Sequence, residues 1–451
     1  MEAQAKYGNF TEGPITGPLV RFSLPILLAL FLQAMYGAVD LMIVGQFATS
    51  ADVSGVATGS QIMMMVTGLV ASFAMGTTIL LGQKIGQGKM KEGGKVIGAS
   101  IFEFILMGIF MTFLAVVFAR PISDVMNAPA EAFDRTVSYV RICGAGTLVI
   151  IAYNLIGSIF RGIGDSRTPL ITVAIATVVN IIGDLLLVAV ADMGTAGAAL
   201  ATVFAQMVSV IISLRIIRRQ QMPFEFHVSD IRPDWPLIKH ITRLGLPIAL
   251  QDLLVGISFL VIMAIVNSLG LIASAGVGCA ERVCAFIMLV PSAFMQSMSA
   301  FIAQNAGAGK MQRARKALYT GMGMAFAVGL FMAALSFFFG ISLARIFTKD
   351  YEVAYAASQY LKAYSIDCLL TPIFFCYIGF FNGLGETTFV MAQGLVGAFC
   401  ARIPFSWLMS RRVPVSLFHV GLATPVASVL QILLCLWFMI HIKRKGKLED
   451  F

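Results

Sequence analysis

The sequence predicts an all-α polytopic membrane protein with twelve transmembrane helices in two pseudo-symmetric six-helix bundles. Three observations lead there. The first is composition. Of 451 residues, 58% are hydrophobic and only 12% are charged, against roughly 45–50% and about 25% in soluble domains. A water-soluble chain this apolar would expose large greasy patches and aggregate. That excludes an ordinary soluble enzyme, a disordered chain and a fibrous repeat. The second is a succession of apolar runs of helical length from one end to the other. About 262 residues are apolar, and twelve spans of roughly 20 residues use about 240. The third is an internal repeat.

The runs are justified in order. Residues 19–46 open the series and contain Pro25, which removes a backbone hydrogen bond inside a helix and predicts a bend. Runs 53–82 and 95–120 follow, and the GxxxG spacings in and beside them (Gly55/Gly59, Gly82/Gly86, Gly94/Gly98) read as packing faces. Runs 132–158, 168–191 and 195–218 complete the first half. The second half holds 238–268, where Pro247 repeats Pro25, then 272–304, 316–345, 353–382, 387–409 and 416–441. All are continuously apolar. A closed β-barrel, the only other spanning solution, would alternate polar and apolar residues. The seven cysteines (Cys143, Cys279, Cys284, Cys368, Cys376, Cys400 and Cys435) form no CxxC and read as small packing residues.

The halves repeat in sequence. Leu24-Pro25-Ile26 recurs as Leu246-Pro247-Ile248, displaced by 222. Gly88-Lys89-Met90 recurs as Gly309-Lys310-Met311, and Gly162-Ile163-Gly164-Asp165 as Gly383-Leu384-Gly385-Glu386, both displaced by 221. Three matches in order at one displacement indicate a duplicated six-helix unit. Six is even, so both copies enter the membrane from the same side, as a parallel repeat of the kind transporters use for alternating access. The longest polar stretch, Arg218 to Lys239, separates them. The expected division is an N-lobe over 1–218, a cytoplasmic linker over 219–237 and a C-lobe with a short basic tail over 238–451.

The net charge is +9, and the N-terminal segment, every second loop and the C-terminal tail carry 22 of the 32 Lys and Arg residues. Basic loops face the cytoplasm, so both termini are expected there, in a multi-pass protein of the cytoplasmic membrane. No segment interleaves basic residues with aromatics, so no nucleic-acid partner is expected. Residues 1–18, with Glu2, Lys6 and Glu12, do not form a signal peptide. The Gly88-Lys89 and Gly309-Lys310 pairs are not phosphate loops. Each is followed by Met rather than Ser or Thr, and positions 83 and 304 are Gln. The chain is thus expected to be no ATPase and no enzyme, needing no cofactor. Active transport would draw on an ion gradient.

Ionisable groups inside apolar helices are costly and mark function by default. In the first half these are Asp40 and Asp184, with Glu103 nearer the cytoplasmic end. Asp40 and Asp184 reach similar depth in the outward half of the bilayer. Tyr36/Asp40, Asn180/Asp184 and, in the sixth helix, Thr202/Gln206 are each spaced i,i+4 and so share a helix face. Carboxylates, an amide and a hydroxyl make an oxygen-rich site for a hard cation such as Na⁺, and two close carboxylates can hold a proton between them. Polar groups bonding helices together is the blander alternative. Asp252 and Asp367 fall near mid-membrane in the second half. They form either a second polar site or groups satisfied by Gln251, Ser365 or Thr371. Neither Asp40 nor Asp184 has a counterpart, since the equivalent positions are Ile262 and Phe405.

The whole chain resembles the multidrug and toxic compound extrusion (MATE) transporters. The resemblance is carried by Pro25 and the Val39-Asp40 to Val44-Gly45 stretch, by Gly82-Gln83-Lys84 to Gly88, by Arg161-Gly162-Ile163-Gly164-Asp165 and by Asn180 to Asp184. It implies a MATE-like fold and efflux of organic, often cationic and amphipathic compounds in exchange for Na⁺ or H⁺, here by a monomer in the lipid bilayer. It implies a cation site at Asp40, Asn180, Asp184 and Thr202, with the Ala198 carbonyl, and cavity lining by Tyr36, Tyr139 and Asn154, to which the depth of Gln206 adds a fourth residue. One departure places the chain nearer the DinF-like branch. The NorM-like branch carries acids in the seventh and tenth helices where this chain has Val255 and Thr371. Two other functions stay open at this point. One is a lipid-linked oligosaccharide flippase of related fold, for which Arg141, Arg282, Lys362 and Arg402 are the cationic candidates. The other is a passive channel or non-transporting sensor, against which the duplicated architecture argues.

Overall fold

The computed structural model describes residues 10–219 and 222–444; the expectations for the first nine residues and for the tail beyond Arg444 lie outside them. Twelve spans cross the length a bilayer requires. They are α1 (Thr16–Phe47), α2 (Ser50–Gly86), α3 (Met90–Val117), α4 (Phe133–Ala145 with Thr147–Gly162), α5 (Arg167–Val190) and α6 (Gly194–Arg219), then α7 (Trp235–Asn267), α8 (Leu271–Gly307), α9 (Met311–Phe338), α10 (Tyr351–Leu384), α11 (Thr387–Ser410) and α12 (Leu417–Arg444). Among the described residues there is no strand. In helices every backbone donor and acceptor is satisfied within the segment, which is what hydrocarbon demands.

Among the described residues, the one span bent by more than 40° at a break is α4, whose two pieces meet at 54°. Gly146 sits at the break. A Cβ there would lie 2.6 Å from the Val203 side chain of α6, so only glycine lets the two helices approach.

The repeat is written into backbone geometry. Gly88 and Gly309 end α2 and α8 with φ of 71° and 70°, and Gly164 and Gly385 follow α4 and α10 with φ of 86° and 88°. These left-handed turns favour glycine. Inside the bundles, a Cβ on Gly162 would stand 3.1 Å from the Thr78 carbonyl, and one on Gly383 would stand 2.8 Å from the Ser299 carbonyl. Short helices Ala119–Val125 and Gly340–Ala344 follow α3 and α9 in the same way.

The chain divides into two compact units. One comprises Leu24–Ala249, and the other Phe10–Ser23 together with Leu250 onward. The boundaries thus fall beside Pro25 and just past Pro247, inside α1 and α7 rather than in the polar stretch after Arg218. Within the first unit, the segment after α6 packs its backbone onto α3. A Cβ on Gly94 would lie 1.8 Å from the Glu225 carbonyl, and one on Gly98 would lie 2.1 Å from that of Asp230. The Gly94/Gly98 face therefore receives an irregular segment that ends in a 3-10 turn, Val228–Asp230, not a second spanning helix.

At the opposite end of the first unit, Asp52 joins three spans. Its carboxylate accepts from the Thr49 hydroxyl at 2.6 Å, from the Thr195 amide and hydroxyl at 3.1 and 2.9 Å, and from the Arg135 guanidinium. Asp52 is buried and sits in the first turn of α2, Arg135 is on α4 and Thr195 is on α6. A carboxylate at a helix N-terminus also meets the positive end of the helix dipole.

Two outcomes follow. Gly98→Val should lower stability by about 1–3 kcal/mol, the usual cost of overpacking, whereas Gly323→Ala, with nothing within 4 Å of its Cβ, should be neutral or slightly stabilising in thermal unfolding of purified protein. Asp52→Ala should cost about 3 kcal/mol, as expected for loss of charge-assisted hydrogen bonds to a buried carboxylate; an unchanged unfolding temperature would show that the three spans do not depend on it.

Candidate functional site

The site is built by four spans of the first unit. Tyr36 and Asp40 come from α1, Tyr139 and Cys143 from α4, Asn180 and Asp184 from α5, and Ala198, Thr202 and Gln206 from α6. Close approach of α5 and α6 sets the frame. A Cβ on Gly183 would stand 3.0 Å from the Ala201 Cβ, and one on Gly197 would meet the Leu187 carbonyl at 3.0 Å. Gly183 and Ala201 each precede a site residue, Asp184 and Thr202, so this contact fixes the spacing of the two spans that carry them. Asp184 also ends the regular part of α5. The next six residues, Leu185–Val190, form a π-helical turn, a feature that recurs at functional sites.

Asp184 and Asn180 are fully buried, and Asp40 and Thr202 are 3% and 8% exposed. Their surroundings are apolar: Ile43, Val44, Val56, Ile150, Val188 and Ala198 belong to one buried cluster with Tyr139 and Cys143. The Asp40 and Asp184 carboxyls face each other. Tyr36 lies near Thr202 and within electrostatic reach of both carboxyls, and Tyr139 is within electrostatic reach of Cys143, Asp40 and Tyr36. The structure thus brings together Tyr36, Asp40, Tyr139, Asp184 and Thr202. Asn180 lies one helical turn from Asp184, Ala198 one turn before Thr202, and Gln206 one turn after it.

The polar atoms here are unsatisfied. Asp40 Oδ1, both oxygens of Asp184, both side-chain polar atoms of Asn180, Thr202 Oγ1, Tyr36 OH and Gln206 Oε1 are buried without a hydrogen-bond partner. Buried polar groups are normally paired, and a buried carboxylate without a counter-charge is costly. A bound Na⁺ or proton would relieve both. The donors are all oxygens, the ligand type a hard monovalent cation prefers, so the residues fit that group. Among the described residues no three His, Cys, Asp or Glu side chains converge, as a site for a transition metal would ask.

Other predicted residues stand elsewhere. Asn154 donates to the Ile150 carbonyl of its own helix at 2.8 Å. Glu103 accepts from the Thr242 hydroxyl at 2.6 Å, joining α3 to the start of α7. Asp252 lies on an exposed face of α7, while Asp367 is buried and accepts from Thr371 at 2.8 Å and Ser428 at 2.6 Å. Of the basic residues weighed for an anionic headgroup, Arg141 and Arg282 are exposed, Lys362 is half-buried and only Arg402 is buried.

Sequence reasoning missed three participants. Cys143, read as packing, lies beside Asp40; its i,i+4 spacing from Tyr139 was the available signal. Glu281 accepts from the Tyr360 hydroxyl at 2.9 Å. It lies inside the 272–304 apolar run, and an acid within such a run was the available signal. Asp52 sits so early in α2 that it read as a loop residue.

Comparison with known proteins agrees with this architecture. The MatE family model matches residues 25–186 and again 247–408, repeating at the spacing found in the sequence. The probable multidrug resistance protein YpnP of Bacillus subtilis (strain 168) is 27% identical over 405 residues, 89% of this chain and 90% of its own. The multidrug export protein MepA of Staphylococcus aureus (strain MRSA252) is 23% identical over 393 residues, 86% of each chain. A solved structure described as the outward-facing conformation of a multidrug resistance MATE family transporter of the MOP superfamily shares the fold. It aligns with a TM-score of 0.91 over 98% of this chain and 99% of that one, at 20% identity. One family model, matched once in each half and over most of the chain, establishes that the protein belongs to the MatE family, the multidrug and toxic compound extrusion transporters.

Proposed function

We propose that the protein is a multidrug efflux antiporter of the cytoplasmic membrane that exports organic, often cationic and amphipathic compounds by alternating access, coupled to H⁺ or Na⁺. The observation that carries this reading is the pair of facing carboxyls, Asp40 and Asp184, buried among unsatisfied oxygens with no basic partner among the described residues. Such a pair is poised to exchange a positive charge with solution. The names of YpnP and MepA support the multidrug assignment. The chain's lobes are read as 1–218 and 238–451, joined by 219–237, with both termini in the cytoplasm and the protein acting as a monomer.

The chain's own residues supply the cycle. Asp40 and Asp184 hold the coupling cation, with Asn180, Thr202 and the Ala198 carbonyl as further oxygen ligands where that cation is Na⁺. The ion's role is to neutralise the pair. Asp40 stands on α1, which carries Pro25 fifteen residues earlier. Pro25 has no N–H to give the Arg21 carbonyl, so α1 bends there at low cost. With the pair charged, Asp40 favours a cationic substrate near Tyr36, Tyr139 and Gln206. With the pair neutral, α1 bends, that space narrows and the substrate leaves. An ion can drive this only through different affinities in the two states. The two carboxyls supply that difference because each conformation spaces them differently.

The DinF-like assignment fits the same picture, since the coupling acids lie in the first half. The flippase reading needs several cations around one buried space, and buried Arg402 stands without basic companions among the four residues weighed for it. A passive channel would need no paired ion site.

Asp40→Asn and Asp184→Asn should each reduce substrate uptake into everted vesicles by roughly 5–150-fold, the span of a coupling free energy of about 1–3 kcal/mol, at normal expression. Wild-type rates in both variants would overturn the assignment. In proteoliposomes with proton and sodium gradients imposed separately, one gradient should drive uphill substrate movement and the other should not. Movement indifferent to both would mean a channel.

A further inference from the structure

The second unit buries charge in a different way. Asp367 on α10 is 1% exposed and Arg402 on α11 is 6% exposed, and Glu281 on α8 interacts with the same neighbours. Glu281 is bonded to Tyr360, which packs in one buried cluster with Cys284, Tyr364 and Cys368, the residue after Asp367; both carboxyls act electrostatically on Cys284 and Tyr364. Arg402 interacts electrostatically with Asp367, Tyr360, Glu281 and Tyr364. Yet among the described residues neither carboxylate comes within ion-pair distance of it. Its position is set from the other side. The guanidinium lies 4.5 Å over the Phe259 ring and donates to Ser258 Oγ at 3.4 Å, and Arg402 ends the π-helical turn Val396–Arg402 of α11. Its Nε has no partner.

We propose that Arg402 is a tethered counter-cation: its fixed guanidinium fills, in the second half, the electrostatic role that a bound cation plays at Asp40 and Asp184, so the second half carries no cation site of its own. The inference rests on reading the first half as the coupling site.

A guanidinium does not give up its proton in proteins, so it supplies a permanent positive charge where a mobile one would otherwise be drawn. Arginine is also the cation best suited to burial over an aromatic ring. Asp367 meanwhile is satisfied by Thr371 and Ser428, and Glu281 by Tyr360, whereas the oxygens of Asp184 have no partner. The arrangement is not inherited from the repeat. Positions 221 residues before Glu281, Asp367 and Arg402 are Ser60, Gly146 and Ile181. The acids and the arginine are present together in one half and absent together from the other, as a charge-balanced set requires.

The titratable side chains facing this space are Glu281 and Cys284 from α8 and Tyr360, Tyr364, Asp367 and Cys368 from α10; α7 and α12 contribute Ser258, Phe259 and Ser428. The test uses purified full-length protein in the D40N/D184N background, which silences the first half. Thermal unfolding is followed with sodium against N-methylglucamine, and separately at acid against alkaline pH. Adding R402Q should create a cation-dependent rise of several degrees in unfolding temperature that its parent lacks. R402K, which keeps the charge, should create none, and R402Q/D367N should lose it. An R402Q protein no more responsive to either cation than its parent overturns the proposal. So does a parent that already responds through Asp367. Whether D40N/D184N abolish the response of the native chain judges the first-half reading, and the increment from R402Q judges Arg402. Should R402Q fail to fold, R402Q/D367N decides. Recovery of folded protein supports a counter-charge, and equal failure refutes it.

Discussion

Asp40 and Asp184 face each other inside a wall of valine, isoleucine and alanine, and among the described residues no basic side chain answers them. Two negative charges in such a medium repel strongly and lack the hydration they would have in water. The helices tolerate them only because they are held by something else. α5 and α6 are locked by glycine and alanine at Gly183, Ala201 and Gly197. The far ends of α2, α4 and α6 are tied by Asp52, a carboxylate whose oxygens are fully used. The contrast between these acids is instructive. Asp52 accepts from the Thr49 hydroxyl, the Thr195 amide and hydroxyl and an arginine, and serves structure. Asp184 has no such donor and is available to a mobile charge.

Much of this was legible in the chain. Apolar run length located all twelve spans, because hydrocarbon imposes both length and continuity on a helix. The buried acids stood out for the same reason, as the residues such a helix should reject. The i,i+4 companions Tyr36 and Asn180 followed from helix geometry alone. What stayed hidden depended on partners far away in sequence. Gly94 and Gly98 looked like a helix-packing face, but the spacing states only that something comes close. Here it is the backbone of residues 225 and 230. Asp252 and Asp367 had similar depth and looked alike. The rotational phase of each helix, set by packing, left one exposed and the other bonded to Thr371 and Ser428. The bend in α4 escaped notice because Gly146 is an ordinary helix residue until Val203 is brought against it.

The repeat shows which features duplication preserves. Turn glycines agree in φ to within a few degrees between the halves, and Gly162 and Gly383 meet the same carbonyl of the neighbouring helix. These are backbone constraints. A side chain added at any of them collides or strains the turn, so the bundle cannot form without them. Buried charge is not a constraint of that kind. It contributes nothing to closing a helix pair, and it can be placed in one copy of the frame and left out of the other.

Charge placement therefore distinguishes two halves that backbone geometry makes alike. On the proposed reading the first-half acids, with no basic partner among the described residues, are neutralised from solution, and their state follows the ion outside and the conformation that admits it. In the second half the positive charge is part of the chain, so Glu281 and Asp367 keep an approximately constant environment whatever the ion gradient does. A transporter with a mobile cation in both halves would have to coordinate two binding events to move once. With one half answered internally, as proposed, a single exchange at Asp40 and Asp184 would suffice to bias α1 about Pro25. The asymmetry thus gives the duplicated frame one point of control.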